Sequence, residues 1–308
     1  MIYQGNIKPL IITSTATIPT IASVLVDDIE VGKLTGFPIN GKITYYLESL
    51  LLSLKLQEQT PDFETKVRAV NFNKEVKIIV DNQIITDTLL GGVDIPHTQR
   101  LTNNPKRAAL DHPYQVVYYL NKPIFGKLYA SVNGGAYTEI DHVKSVANRH
   151  LIINYHKYYE ELNLQEYDKV IFHFGDFREV INLNAYYTDT PFILTMRNKY
   201  GFWDCFKFYG NQENHFDFAQ TVIENMTESV PVYNEITEKV IIESGLLEGN
   251  ERYIIAENLS FLDTYEYRNG QFFRLINTQK SIVARKLKDT QDTHKLEFQY
   301  ANIKRVTR

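Results

Sequence analysis

The chain of 308 residues carries one cysteine, one tryptophan and three methionines. A lone Cys205 excludes an intrachain disulfide and any cysteine-rich zinc site. No stretch approaches the roughly 18 consecutive apolar residues of a membrane-crossing helix, so no membrane partner is expected. The opening Met1-Ile2-Tyr3-Gln4-Gly5-Asn6 lacks the basic region and apolar core of a secretory signal. Synthesis and solubility in a cytoplasm follow as expectations, with any action outside a cell requiring another route, for example exit as part of a released particle. A formal net charge of -4 offers no general attraction for nucleic acid. Walker-type, Rossmann and His-Glu-x-x-His signatures are missing, and Gly91-Gly92 and Gly134-Gly135 are too short to cradle phosphates.

What the chain does have is aromatic surface. Its 21 tyrosines and 17 phenylalanines suit pleated, half-buried sheets and protein interfaces. A hydrophobic share of 44% with 23% charged residues describes a folded protein. The expected fold class is mainly β and multidomain, with antiparallel β-sandwich or barrel-like domains and a few short helices. A β-rich domain with one helix is placed at 1–105, an antiparallel sandwich at 106–188 and a second β-rich domain at 189–308. β-branched runs at 7–31 and alternation at 66–80 support the first. Ile43, Leu47, Leu50, Leu51 and Leu54 recur at helical spacing after Asn40-Gly41, which predicts its helix over 43–54. In the second, short strands are punctuated by Asn121-Lys122-Pro123 and Asn133-Gly134-Gly135. Arg268-Asn269-Gly270 marks a hairpin in the third. There, 251–262 reads either as a helix with Ile255, Leu259 and Leu262 on one face or as an extended run.

Candidate chemistry is thin. Cys205 is a potential nucleophile with His215 or His173 as its base, although its Phe and Trp neighbours favour an inert buried thiol. His142, His150 and His156 need convergence and a further ligand to hold a metal. The acidic pairs Asp27-Asp28, Glu160-Glu161 and Asp289 with Asp292 sit in turn-like sequence. No catalytic, cofactor-binding or metal-binding residue is assigned. Paired tyrosines at 118–119, 158–159 and 186–187 are candidates for stacking sugars or bases, each pair with one core ring and one outer ring. Eight of the 33 basic residues but only three of the 37 acidic ones lie between Lys280 and Arg308. That basic end facing an acidic body suggests head-to-tail docking.

The most specific stretch is Arg197-Asn198-Lys199-Tyr200-Gly201-Phe202-Trp203-Asp204-Cys205-Phe206-Lys207-Phe208-Tyr209-Gly210, a glycine turn leading into an aromatic strand. Trp203, Phe206 and Phe208 are its buried candidates, and Tyr158 and Tyr186 are the candidate interface tyrosines. Before it come Leu89-Leu90-Gly91-Gly92-Val93 and Tyr114-Gln115-Val116-Val117-Tyr118-Tyr119-Leu120. After it come Asn269-Gly270 and Leu296-Glu297-Phe298-Gln299-Tyr300-Ala301. This ordered set resembles tail structural proteins of Bacteroidetes phages and prophages, with Tyr200 where a first glycine is usual.

The resemblance spans most of the chain and implies a non-enzymatic virion subunit in the tail, tail hub or head-to-tail region. Its implied mechanism is a ring built by lateral sheet and aromatic contacts. Implied partners are further copies of the chain and other virion proteins, with DNA passing through a channel and a host glycan as additional candidates. It transfers no catalytic residues. Two other readings remain open: a glycan-binding host-adsorption module, motivated by the tyrosine pairs, and a hydrolase using acidic side chains.

Overall fold

Two-residue turns in left-handed backbone organise the first part of the chain. Asp27-Asp28, Asn40-Gly41 and Asp81-Asn82 all take positive φ, the geometry that matches the twist of a tight hairpin. The structure, a computed structural model, describes residues 2–4, 6–52, 54, 60–91, 99–105, 107–145, 149–183, 191–224, 229–247, 250–260, 263–279, 293–301 and 304–307. The first elements are β1 (Ile2–Tyr3), β2 (Leu10–Thr13), β3 (Thr20–Val26), β4 (Ile29–Gly36), β5 (Pro38–Ile39), β6 (Lys42–Tyr45) and the short helix α1 (Glu48–Leu51). β7 (Val67–Val70), β8 (Asn73–Val80) and β9 (Gln83–Leu90) follow. A five-stranded sheet in the order β1-β9-β8-β3-β4 faces a three-stranded sheet, β2-β6-β5. Ala22, Val24, Val76 and Ile78 from one, with Ile43 and Tyr45 from the other, form the shared core.

The expected helix over 43–54 shrinks to α1. Asn40-Gly41 is not its start but the turn of the β5–β6 hairpin, and Ile43 pairs with Ile12 as a strand residue. Ile-Thr-Tyr-Tyr is a β-branched and aromatic run, so sheet packing overrides the helical spacing of the leucines. Leu47 and Leu51 still reach the core.

β10 (Gln99–Arg100), β11 (Arg107–Ala108), β12 (Gln115–Leu120), β13 (Ile124–Val132), β14 (Thr138–Ser145), β15 (Arg149–Asn154), β16 (Lys169–Phe174) and β17 (Phe177–Leu183) build the middle unit. Its sheets, β10-β12-β15-β7 and β11-β17-β16-β13-β14, enclose Tyr114, Tyr118, Leu151, Tyr155, Tyr158 and Phe172. β7 and β10 precede residue 105 yet complete this unit's sheet. Almost every residue of β12 and β15 is buried, because these strands have a second hydrophobic layer on their outer face. There Val117, Tyr119 and Ile152 meet Leu90, Leu101 and Phe202.

That double covering corrects the expectation for the tyrosine pairs. Tyr118 points into the sandwich core and Tyr119 into the outer layer, so neither ring faces solvent. Tyr158 lies on a 3-10 turn (Tyr155–Tyr158), not a strand, and both it and Tyr159 join the sandwich core. Tyr186-Tyr187 lies outside the described residues.

The last unit comprises β18 (Phe192–Arg197), β19 (Trp203–Phe208), β20 (Gln212–Glu224), β21 (Ser229–Leu246), helix α2 (Glu251–Leu259), β22 (Thr264–Arg268), β23 (Gln271–Asn277), β24 (Thr293–Tyr300) and β25 (Lys304–Thr307). One curled sheet runs β19-β18-β22-β23-β24-β21-β20, with β25 also pairing β21. Ile255 and Leu259 of α2 pack among Leu194, Phe206, Phe208, Val240, Ile242 and Phe298. Of the two readings of 251–262, the helical one is adopted over Glu251–Leu259, and Leu262 lies outside the described residues. The protein is mainly β, built from several antiparallel sheets with few short helices.

Candidate functional site

The 197–210 stretch is the joint between the last unit and the other two. Gly201 has φ +80, a backbone that only glycine adopts without strain, and its turn is held by Asn198. The Asn198 side-chain oxygen accepts from the backbone N–H groups of Tyr200 and Phe202 at 3.0 and 3.2 Å. The turn swings Phe202 away from its own sheet into the outer layer of the middle unit. There it meets Phe72 and His150, with ring centroids 5.7 and 5.0 Å apart. A side chain at Gly91 would collide with this ring, its Cβ only 2.3 Å from a Phe202 carbon. Gly91 is thus a close-approach glycine.

Along β19 successive side chains alternate. Asp204, Phe206 and Phe208 face α2 and the last unit's core. Trp203 and Cys205 point the other way, so the three aromatic candidates are all buried but divided between two faces. Trp203 carries the Arg197 guanidinium 4.7 Å over its ring and meets Tyr265 edge-on. Arg197 is itself buried and ion-paired with Asp263 at 3.0 Å.

Asp204 is fully buried and binds four donors. These are the Asn103 backbone N–H at 2.7 Å and the side-chain amides of Asn103, Asn198 and Asn258 at 3.2, 2.9 and 2.8 Å. Burial pushes its carboxyl pKa up, while these hydrogen bonds hold it back. Next to it, the Asn104 side-chain oxygen accepts from the Cys205 backbone N–H at 2.8 Å. The 101–105 loop thus runs along the β19 edge and satisfies groups that an open edge exposes.

The residues named for chemistry do not converge. Cys205 is buried with Phe63 and Ile193, its sulfur 3.8 Å from the Thr195 hydroxyl. Burial pushes the thiol up to about 12, and a nucleophile needs the opposite. His215 instead lies 3.4 Å from Glu213, and His173 lies tilted against Tyr137 with ring centroids 6.0 Å apart. His142 is exposed beside Glu139, His150 accepts from the Phe72 N–H, and His156 accepts from the Tyr114 N–H. No group of three metal-ligand side chains converges among the described residues. Asp27 and Asp28 hold Lys74 and Lys77 across the turns of the first sheet. Asp289 and Asp292 lie outside the described residues. The Tyr158 hydroxyl donates to Asp141 at 2.6 Å.

The surface that stands out is at the opposite edge of the same sheet. β20 and β21 are 13 and 18 residues long. At about 3.3 Å per residue, β20 alone spans roughly 40 Å. β24 covers β21 only as far as Lys239, and β25 then pairs with Tyr233, Asn234, Glu235 and Ile236. Residues 213–219 are exposed on both strand faces, so this ribbon projects beyond the packed body. Register makes it two-sided. Phe216 and Phe218 lie opposite Glu238 and Ile236, on the face that continues from buried Val240. Glu213, His215 and Asp217 share the other face with Lys239, which pairs with Asp217 at 2.6 Å. Phe216 is 52% and Phe218 73% exposed.

This arm was not anticipated from the sequence. Its available signal was the Phe216-Asp217-Phe218 alternation within a long run free of glycine. Of the basic C-terminal end expected to face a neighbour, Lys304–Thr307 form β25, whose backbone pairs with Tyr233, Asn234, Glu235 and Ile236 of β21, and residues 280–292 lie outside the described residues. No family model matches the chain, and no curated protein or solved structure gives a match.

Proposed function

We propose that this chain is a structural subunit of a bacteriophage virion, in the tail, tail hub or head-to-tail region, and that it acts by protein–protein contacts in a ring instead of by catalysis. One observation carries the reading: the long ribbon of β20 and β21, extended by β25, on which Phe216 and Phe218 are exposed with no layer over them among the described residues. A ribbon of two or three strands is marginal in water unless a hydrophobic face is covered, and exposed sheet edges invite pairing with another chain. The ordered motif resemblance supplies the virion setting. The buried, high-pKa Cys205 thiol and the scattered histidines are consistent with a scaffold.

Two measurements test this. Mass spectrometry of purified particles should find the chain in stoichiometric amount, and light scattering of the isolated protein should find oligomers. Absence from particles removes the virion assignment. Of the tyrosine pairs that motivate the glycan-binding alternative, Tyr118-Tyr119 and Tyr158-Tyr159 are buried, and Tyr186-Tyr187 lies outside the described residues.

A further inference from the structure

We infer that β20 pairs edge to edge with β20 of a second copy, antiparallel about a two-fold axis at Phe216. The inference rests on the structural-subunit reading and adds the partner and the register. Hydrogen-bond parity defines the docking edge. The Glu243 N–H donates to the Asn211 carbonyl at 2.9 Å, one step beyond the Gln212–Ile242 pair. In an antiparallel ladder only every second pair exchanges such bonds. Glu213, His215, Asp217 and Ala219 therefore direct their backbone groups at β21, and the even-numbered residues from Gln212 to Gln220 direct theirs at the open edge. The far side of β21 agrees. Ala301 donates to Arg274 and Thr278 to Glu297, which leaves Leu296 and Phe298 to bond Ile242 and Val240 and the odd-numbered residues of β21 to bond β20. No strand of the described residues pairs with the open edge, and such a row of donors and acceptors is a template for a further strand.

The side chains select one register. With Phe216 opposite its own copy, His215 stands opposite Asp217 of the second copy, and the two-fold repeats the pair. Both pairs fall at positions without ladder bonds, where facing side chains come closest, and an imidazole N–H donor meets a carboxylate acceptor. Slippage in either direction is penalised. Phe216 opposite Phe218 sets Asp217 against Asp217, and Phe216 opposite Asn214 sets Glu213 against Asp217 twice. Like charges directly opposite destabilise a strand pair. The axis stands perpendicular to the sheet, so the two Phe216 rings meet on one face. Residues 213–219 are exposed on both faces, which leaves the edge open to approach. The same patch serves both subunits, so the contact is isologous and stops at two copies. A ring built of such pairs closes through a different surface.

Sedimentation of the full chain over a concentration series decides this. The natural chain should pass from monomer to dimer as concentration rises. Asn214→Pro deletes one edge-facing N–H and should stay monomeric. It should melt as the natural chain does, because an edge strand accepts proline where the N–H faces outward. Phe216→Ser with Phe218→Ser, which strips the rings beside the axis, should also stay monomeric. A natural chain that is monomeric at every concentration overturns the inference. So does a proline or serine variant that dimerises as the natural chain does.

Two charge variants leave the backbone alone and decide the matter if the proline lowers the melting temperature. His215→Asp sets acid against acid at both facing pairs. At up to about fivefold for each exposed pair, it should raise the dissociation constant roughly tenfold. His215→Asp with Asp217→His exchanges the partners, and the acid then stands opposite Lys239 of β21. That swap should restore the dimer, and failure of restoration overturns the register and the inference with it. Particle composition reports separately on the virion reading: a chain found in particles but monomeric in solution keeps that reading and loses this one.

Discussion

The eight-stranded sheet has two edges, and they are finished in opposite ways. At β19 the 101–105 loop lies against the strand, Asp204 gathers four hydrogen-bond donors, and Phe202 reaches across into the middle unit. At β20 no further strand pairs among the described residues, and residues 213–219 are open on both faces. The same residue types serve both places. Phe-x-Phe occurs at Phe206 and Phe208 in the core and again at Phe216 and Phe218 on the arm. Strand pattern is thus insufficient to separate a fold-stabilising edge from an associating one. The difference comes from what the rest of the chain brings to each edge.

The comparison implies that the closed side should be sensitive to acid. His150 lies against Phe72, Tyr119 and Phe202. His156 lies edge-on to Phe63, between Lys157 and Glu64, and His112 lies near Lys207, Asp111 and His156. Burial pushes His150 and His156 down to about 4 and His112 to about 3, from an ordinary 6.5. The unfolded chain therefore binds protons that the folded chain refuses. This stability is complete above pH 6.5 and is lost as pH falls toward the depressed values. Three such groups give a slope of up to about 4 kcal/mol per pH unit between pH 6 and 5. Denaturant titrations across that window measure it. His150→Gln, which retains an acceptor for the Phe72 N–H, should remove about one proton from the slope. A flat profile breaks the comparison.

Truncation at the joint comes next in size. Phe202→Ala leaves a cavity against Gly91, Phe72 and His150, and should cost about 3–5 kcal/mol, a large part of a domain's roughly 5–15 kcal/mol. Trp203→Ala should cost a similar amount, since it strips the ring from buried Arg197. Cys205→Ser should cost less, about 1–2 kcal/mol, because Thr195 offers the new hydroxyl a partner. Melting of all three variants side by side gives the order. An unaltered Phe202→Ala would mean that the last unit is not clamped by this ring.

Asp204→Asn sharpens the same point. The shape is kept, but an amide places its own donors where only acceptors are wanted. The cost should be about 1–3 kcal/mol for the donor groups left buried and unpaired. Hydrogen exchange should then accelerate at the Asn103 and Cys205 amides, which anchor the loop on β19. Equal protection in both proteins would assign the loop's position to packing alone.

The sequence made the strand content and several turns legible because their causes are local. Asn269-Gly270 has the paired positive φ values that its type demands, and residues beside it alternate as strands do. Gly201 likewise marks a real turn. Illegible were features set by distant partners. Leu47, Leu50, Leu51 and Leu54 share a helical stripe, yet Ile43 is drawn into a strand by Ile12 and Pro38. Tyr119 carries no local sign of the second layer over it, nor Tyr158 of its burial in the sandwich core. Asp204 looks like an ordinary polar residue until Asn103, Asn198 and Asn258 are brought around it. The arm was hidden for a converse reason: alternation reads identically whether a face is covered by the chain itself or left open.

The smallest expected effect is therefore the most discriminating. Phe216→Ser with Phe218→Ser removes two rings that are already more than half exposed, so no cavity forms and little buried area is lost. Stability of the monomer should change by no more than about 0.5 kcal/mol, as for surface substitutions elsewhere. By contrast, Phe206→Ala, on the same sheet at its closed edge, should cost about 3–5 kcal/mol. Both are measured at concentrations low enough to keep the chain monomeric, since association would stabilise the folded form by mass action. If the arm variant lost several kcal/mol under those conditions, the rings would be packing on their own chain in solution. The two edges would then be alike, and assembly through the arm would lose its physical basis. A silent change in stability with oligomers abolished is the outcome that keeps the edges distinct.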